Sequence, residues 1–70
     1  MSYYDYKMSL ELSIKDPPFA ALIMAAMRKA DTDNTYKLKS MWPEIYHELE
    51  KRYHTPGGLI DGEHAEEVKT

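Results

Sequence analysis

The nine-residue run from Phe19 to Met27 constrains the fold of this 70-residue chain more than any other feature. Its sequence, FAALIMAAM, contains no polar position that would give a helix a solvent-facing side. A helix of this kind must be covered on several sides, and its four alanines allow neighbouring backbones to approach closely. The run is also much shorter than the roughly 20 apolar residues that cross a bilayer. It therefore predicts a buried helix and no membrane span.

The length of the chain allows one small domain with a thin margin of stability. At this size, folding buries only about 60% of the surface that the unfolded chain exposes. The chain has no cysteine, which excludes disulfides and thiolate zinc sites and is consistent with a reducing compartment. Residues 1–6 show neither the basic stretch nor the apolar stretch of a secretory signal. We therefore predict a cytoplasmic protein.

Proline and capping residues divide the chain after residue 15. Asp16-Pro17-Pro18 combines a capping residue with two prolines that suit the first turn of a helix. The Asp31–Asn34 cluster supplies a second cap, and Pro43 suits the first position of a further helix, in which Glu48 and Arg52 are spaced for an ion pair. The predicted helices are 17–30, about 32–41, and 43–53.

The chain beyond the last predicted helix contains few apolar residues. His54-Thr55-Pro56-Gly57-Gly58 ends that helix, because glycine and proline cannot continue it. The remaining segment is acidic, and segments of this composition cannot bury enough apolar surface to fold. We predict a single helical domain over residues 1–58 and a disordered acidic tail over residues 59–70.

The N-terminal segment is ambiguous. From Tyr4 to Lys15, apolar and polar residues alternate strictly, and a period of two is typical of a strand. No second strand-like segment is available as a partner, and methionine, leucine, glutamate and lysine favour helix. Helix is favoured for at least Leu10–Ile14, whereas a strand would require pairing with a second copy. The predicted fold class is an all-α bundle of three to four short helices, in which the N-terminal segment could be a strand.

The distribution of charge disfavours nucleic acid as a partner. The formal net charge of −3 comes from the tail, because residues 1–56 contain eight acidic and eight basic side chains. A domain that binds many phosphates carries a basic patch or stripe. We therefore expect a protein as the partner, and no membrane.

Three patterns resemble metal sites, and none of them is a specific signal. Asp31-Thr-Asp33-Asn-Thr opens like a calcium loop, but Tyr36 stands where glycine is needed. His47-Glu48 begins like a zinc-protease motif, but Lys51 replaces the second histidine. The Glu44-x-x-His47 spacing occurs in di-metal bundles and also on ordinary solvated helices. Without a phosphate loop or a nucleophile motif either, we predict no enzyme activity, no metal and no cofactor.

Two stretches of the chain resemble a family. Residues 16–34, DPPFAALIMAAMRKADTDN, and residues 43–58, PEIYHELEKRYHTPGG, resemble short uncharacterised proteins encoded by phages and integrative elements of Gram-positive bacteria. The resemblance covers about the middle two thirds of the chain. It implies a mobile genetic element as the genomic setting and no particular activity.

These observations favour a non-catalytic domain that binds another protein, or itself as a homodimer. Three tyrosines in four positions cannot all face one core, and tyrosine and methionine are suited to adaptable interfaces. The predicted partner-binding residues are Tyr3, Tyr4, Tyr6, Met24 and Met27.

The alternative hypothesis is a dimeric ribbon-helix-helix DNA-binding protein. Residues 4–14 would form its paired strand, although Asp5 and Glu11 would then meet the DNA groove. Its phosphate contacts would be Arg28, Lys29, Lys37 and Lys39.

Overall fold

The computed structural model describes residues 1–60 and 62–63. Over these residues the chain is all-α, as predicted, and contains no β-strand. A short 3-10 turn at Pro56–Gly58 follows the last α-helix. The four helices are α1 (Tyr3–Lys15), α2 (Phe19–Lys29), α3 (Thr32–Met41) and α4 (Pro43–Tyr53).

The N-terminal segment, which could be helix or strand from its sequence, is the helix α1. Ser2 and Asp5 form a capping box, in which the Asp5 amide donates to the Ser2 hydroxyl and the Ser2 amide donates to the Asp5 carboxylate at 3.0 Å. The helix continues to Lys15 and ends where Asp16 adopts a left-handed conformation with φ of 51°. The strand interpretation of residues 4–14 is therefore wrong for this structure, because a local cap starts a helix through good helix formers.

Helix α2 begins two residues later than predicted. Pro18 is its N-cap residue and is extended, with φ of −59° and ψ of 150°. Pro17 cannot occupy the first turn, because a residue that precedes proline is driven out of the α region. The helix ends at Lys29, and Ala30 is again extended. The Pro-Pro pair thus forms an extended joint between α1 and α2.

Helices α3 and α4 have the predicted bounds. The Asp31 carboxylate accepts a hydrogen bond from the Asn34 amide at 2.9 Å and so caps α3. Pro43 occupies the start of α4, and Arg52 donates from Nε to Glu48 at 3.0 Å, as the spacing predicted. Trp42 joins the two helices: its amide donates to the Leu38 carbonyl, and its carbonyl accepts from Tyr46.

Helices α2, α3 and α4 form a three-helix unit that runs up, down and up. Phe19 at the start of α2 lies against Trp42, with ring centroids 5.9 Å apart. Arg28, near the end of α2, shares a groove with Leu49 and Tyr53 of α4. Helices α2 and α4 therefore run in the same direction, and α3 returns between them.

The core of this unit is small. Ile23 and Met27 of α2 are the buried side chains among the described residues, at 9% and 7% exposure. Half-buried residues surround them: Met24, Leu38, Trp42, Ile45, Tyr46 and Leu49. The prediction that α2 is covered on several sides is wrong, because Phe19 remains 61% exposed and Leu22 36% exposed. Two neighbouring helices cover only one side of it.

Helix α1 makes no extensive packing contact with the other described helices. All 13 of its residues are exposed, although Met8, Leu10 and Leu12 keep only 37% to 46% of their full exposure. The radius of gyration is 13.9 Å, against about 11 Å for a compact domain of this length. The projecting helix and the small core together leave an unusual amount of apolar surface in solvent.

The segment after α4 folds back onto it through Arg52. One guanidinium nitrogen donates to the Gly58 carbonyl and to Glu63 Oε1, each at 2.7 Å, and the other donates to Glu63 Oε2 at 2.9 Å. Leu59 and Ile60 are half-buried, so the structured part extends past the predicted boundary at residue 58. The rest of the predicted disordered tail, residues 61 and 64–70, lies outside the described residues.

The hydrogen bonds from Arg52 to Gly58 and Glu63 form a clamp that holds the segment after α4. This clamp predicts that the segment is sensitive to acid. Hydrogen bonds from the Arg52 guanidinium and then from the Ile60 amide lower the pKa of Glu63 from 4.5 to about 2. Because the folded-state pKa is the lower one, the stabilisation is fully present above about pH 4.5 and is lost as the pH falls toward 2.

Glu63→Gln should therefore release the segment at neutral pH as acid does in the parent chain. We expect the Ile60 amide, which donates to Glu63 at 3.1 Å, to lose its protection from hydrogen exchange in both cases. Glu44→Gln, two turns from Arg52 on α4, is the control and should leave Ile60 protected. Equal protection of Ile60 in the two variants would show that the clamp does not hold this segment.

Candidate protein-interaction surface

The apolar side chains of α1 form two stripes on different sides of the helix. Each helical residue advances by about 100°, so residues two apart lie about 200° apart, and strict alternation divides the apolar set between two faces. Stripe one is Tyr3, Tyr6, Leu10 and Ile14. Stripe two is Tyr4, Met8 and Leu12.

The predicted interface tyrosines are exposed, but they do not share one face. Tyr3 and Tyr6 lie together in stripe one, with ring centroids 6.4 Å apart, while Tyr4 belongs to stripe two. Their exposed fractions are 76%, 60% and 67% for Tyr3, Tyr6 and Tyr4. Each stripe therefore offers aromatic surface together with aliphatic surface.

The aliphatic members of the stripes were absent from the predicted set. Ile14 is 81% exposed, and Met8, Leu10 and Leu12 are exposed as well. The alternation that marks them is visible in the sequence, where a period of two is typical of a strand. On a helix, the same pattern produces two apolar sides.

The two methionines of the predicted set have different surroundings. Met27 is buried in the core and is withdrawn from the interface, because a partner cannot reach a side chain that is 7% exposed. Met24 is half-buried. The side of α2 that faces away from the core is formed by Ala21, Leu22 and Ala25, with Phe19 at its edge and the exposed Lys29 on its last turn.

The basic residues of the DNA-binding alternative do not form one surface. Lys29 and Lys37 line an open groove of about 580 Å³ between α2 and α3, whose apolar lining includes Leu38, Met41 and Trp42. Arg28 lines a separate groove of about 350 Å³ beside α4. The ammonium group of Lys39 lies 4.8 Å from the centroid of the Tyr46 ring. The four cations are thus spread over different sides of the bundle.

The acidic and histidine residues do not form a metal site over residues 1–60 and 62–63. No three of their His, Asp or Glu side chains lie close enough together to hold an ion. His47 lies 3.9 Å from Glu50, on the exposed surface of α4. Asp31, the first residue of the calcium-like pattern, has its carboxylate on the α3 cap.

Comparison of the chain with protein-family profiles, characterised proteins and solved structures gives no match. Among the described residues, no helix is both long enough and apolar enough to cross a membrane. The geometry of the exposed apolar surface therefore carries the functional argument.

Proposed function

We propose that this chain is a non-catalytic protein-interaction module that binds its partner through α1. The observation that carries this proposal is that α1 presents seven large apolar side chains, each of which is at least 37% exposed. At roughly 200 Å² per aromatic side chain, the three tyrosines alone expose about 400 Å². Tyr3 and Tyr6 share stripe one and supply about 270 Å² of this area at roughly 200 Å² each, and contiguous exposed apolar patches of a few hundred Å² are often functional.

The length of α1 supports the same proposal. Isolated helices shorter than about 12–15 residues are marginal in water, because nucleation is costly and packing supplies most of the stability of a helix. Helix α1 has 13 residues and makes no extensive packing contact with the other described helices. A protein that docks on α1 would supply that packing, in the manner of an apolar helix bound in a groove.

The genomic source of the chain and its location in the cell are also proposals. The resemblance of residues 16–34 and 43–58 to phage and integrative-element proteins favours a bacterial mobile element as the source. The absence of cysteine is consistent with the cytoplasm. The two grooves described above are open, whereas catalytic sites favour enclosed pockets, and this supports binding over catalysis.

The ribbon-helix-helix alternative is not favoured by any feature of the structure. It would require residues 4–14 to leave a capped helix and pair as a strand. It would also require phosphate contacts from Arg28, Lys29, Lys37 and Lys39.

Site-specific photo-crosslinking tests the proposed function. Tyr6→p-benzoylphenylalanine, produced in the cell type that naturally carries the chain, should give one discrete adduct after irradiation. Tyr36→p-benzoylphenylalanine on α3 is the matched control, because Tyr36 is also a helical tyrosine and is 73% exposed. Equal or absent adducts at the two positions would show that α1 is not the binding element. The mass of the adduct distinguishes a second copy from another protein.

A further inference from the structure

We infer that the partner of α1 is a second copy of this chain, and that each α1 lies across the outer side of the partner's α2. This inference rests on the proposed function, since it names the occupant of the same surface. The two chains would exchange their N-terminal helices about a two-fold axis, with the joint Asp16–Pro18 as the hinge. Three observations support the exchange: the two stripes, the hinge and the small side chains of α2.

The two stripes of α1 require two neighbours. A single partner helix would cover stripe one or stripe two and leave the other in water. In an exchanged dimer, each α1 meets the partner's α2 on one side and the partner's α1, across the two-fold axis, on the other. The symmetry thus supplies both neighbours from one kind of chain.

The hinge keeps α1 away from the α2 of its own chain. Asp16 is left-handed, Pro18 is extended, and both prolines hold φ near about −65°. These residues form a stiff three-residue joint rather than a tight turn that would return α1 onto α2. This joint leaves α1 exposed to solvent, where a second copy can receive it.

The outer side of α2 is suited to receive a helix. Ala21 and Ala25 allow the backbone of another helix to approach closely, and Leu22 lies between them. Phe19, 61% exposed, borders this surface. Large side chains on α1 and small ones on α2 are complementary in shape. Helix α1 carries two acidic and two basic side chains, so net charge does not oppose the pairing.

The available area matches what a stable dimer needs. Phe19 and the three tyrosines of α1 together expose about 500 Å², at roughly 200 Å² per aromatic side chain. The aliphatic residues of α1 and Leu22 raise the apolar area to the order of 800 Å² per copy, which is one side of an interface of standard size. A second copy can therefore cover the whole surface.

Light scattering over a dilution series tests the inference. The parent chain should be a dimer of 16.4 kDa, twice the 8.2 kDa of one chain. Leu10→Lys in stripe one and Met8→Lys in stripe two should each raise the dimer dissociation constant by at least about 100-fold, because each substitution removes two buried apolar side chains. Ser9→Lys is the control, since it adds the same charge on a polar side of α1 and should leave the dimer intact.

Circular dichroism of each variant is the folding control. It should show that the three-helix unit is kept, because α1 is not part of that unit. A parent chain that is monomeric at every concentration overturns the inference. So does a dimer that survives both Leu10→Lys and Met8→Lys. A monomer that still gives the Tyr6 photo-adduct with another protein would leave the proposed function standing, and the failures of the two proposals are thereby distinguished.

Cross-linking between two different copies tests the exchange itself. The chain has no cysteine, so a tagged Leu10→Cys chain can be mixed with an untagged Ala25→Cys chain and treated with a short bis-maleimide. Docking of α1 on the partner's α2 should give a covalent heterodimer. Tyr36→Cys in place of Ala25→Cys is the control and should give none. A dimer by light scattering that yields no more heterodimer than this control overturns the exchanged arrangement.

Discussion

Met27→Ala is expected to lower the free energy of unfolding by about 2 to 3 kcal/mol, a large part of the total for a domain of this size. Met27 and Ile23 are the buried side chains of the described residues, so no second layer of core can collapse into the vacated volume. The substitution removes most of a buried side chain and leaves a cavity beneath α3 and α4. The free energy from urea unfolding, followed by circular dichroism, measures this loss.

Met41→Ala is the matched control for Met27→Ala. Both methionines lie near the end of a helix, but Met41 is 70% exposed, and its loss should cost no more than about 0.5 kcal/mol. The chains are compared at one protein concentration, because self-association would raise the apparent stability of each. Equal losses in the two variants would mean that the α2–α3–α4 unit is not held by this core.

Trp42→Ala is expected to cost about 2 kcal/mol and to lower the midpoint of thermal unfolding by roughly 10 °C. Trp42 ends α3, begins α4 and packs edge-on against Phe19 of α2, so one side chain connects all three helices. It is half-buried, which places the expected loss below that of a fully buried tryptophan.

Trp42→Phe shows how much of this loss in stability comes from the aromatic contact with Phe19 and how much comes from the volume of the indole. Phenylalanine keeps an edge-to-face contact with Phe19 and should recover at least half of the loss. Thermal unfolding is followed by circular dichroism, because Trp42 is the sole tryptophan and its fluorescence is lost in both variants. An unchanged midpoint in Trp42→Ala would show that the contact between Phe19 and Trp42 does not couple α2 to the other helices.

The fold class and the bounds of α3 and α4 could be predicted from the sequence. Those bounds depend on local chemistry: Asp31 caps one helix, and Pro43 suits the first turn of the next. The pair formed by Glu48 and Arg52 was also readable, because residues four apart on a helix are neighbours.

The start of α1 also depends on local chemistry. The alternation of apolar and polar residues over positions 4–15 suggests a strand and makes this helix start hard to recognise. A period of two indicates a strand when one face is buried, and α1 buries no face in this chain. The Ser2 and Asp5 capping box is a local signal that favours the helix. The start of α2 at Phe19 follows from the restriction that Pro18 places on Pro17.

Only the tertiary structure decided which apolar side chains are buried. The all-round apolarity of α2 predicted cover on several sides, yet α3 and α4 lie against one side, and Ile23 and Met27 are the two buried side chains of the described residues, at 9% and 7% exposure. The joining of Arg52 to Glu63, eleven positions away, likewise depends on how the chain turns after α4. Caps and prolines act within one turn and can be read along the chain, whereas burial depends on which elements meet in space, so the exposed stripes of α1 emerged only from the fold.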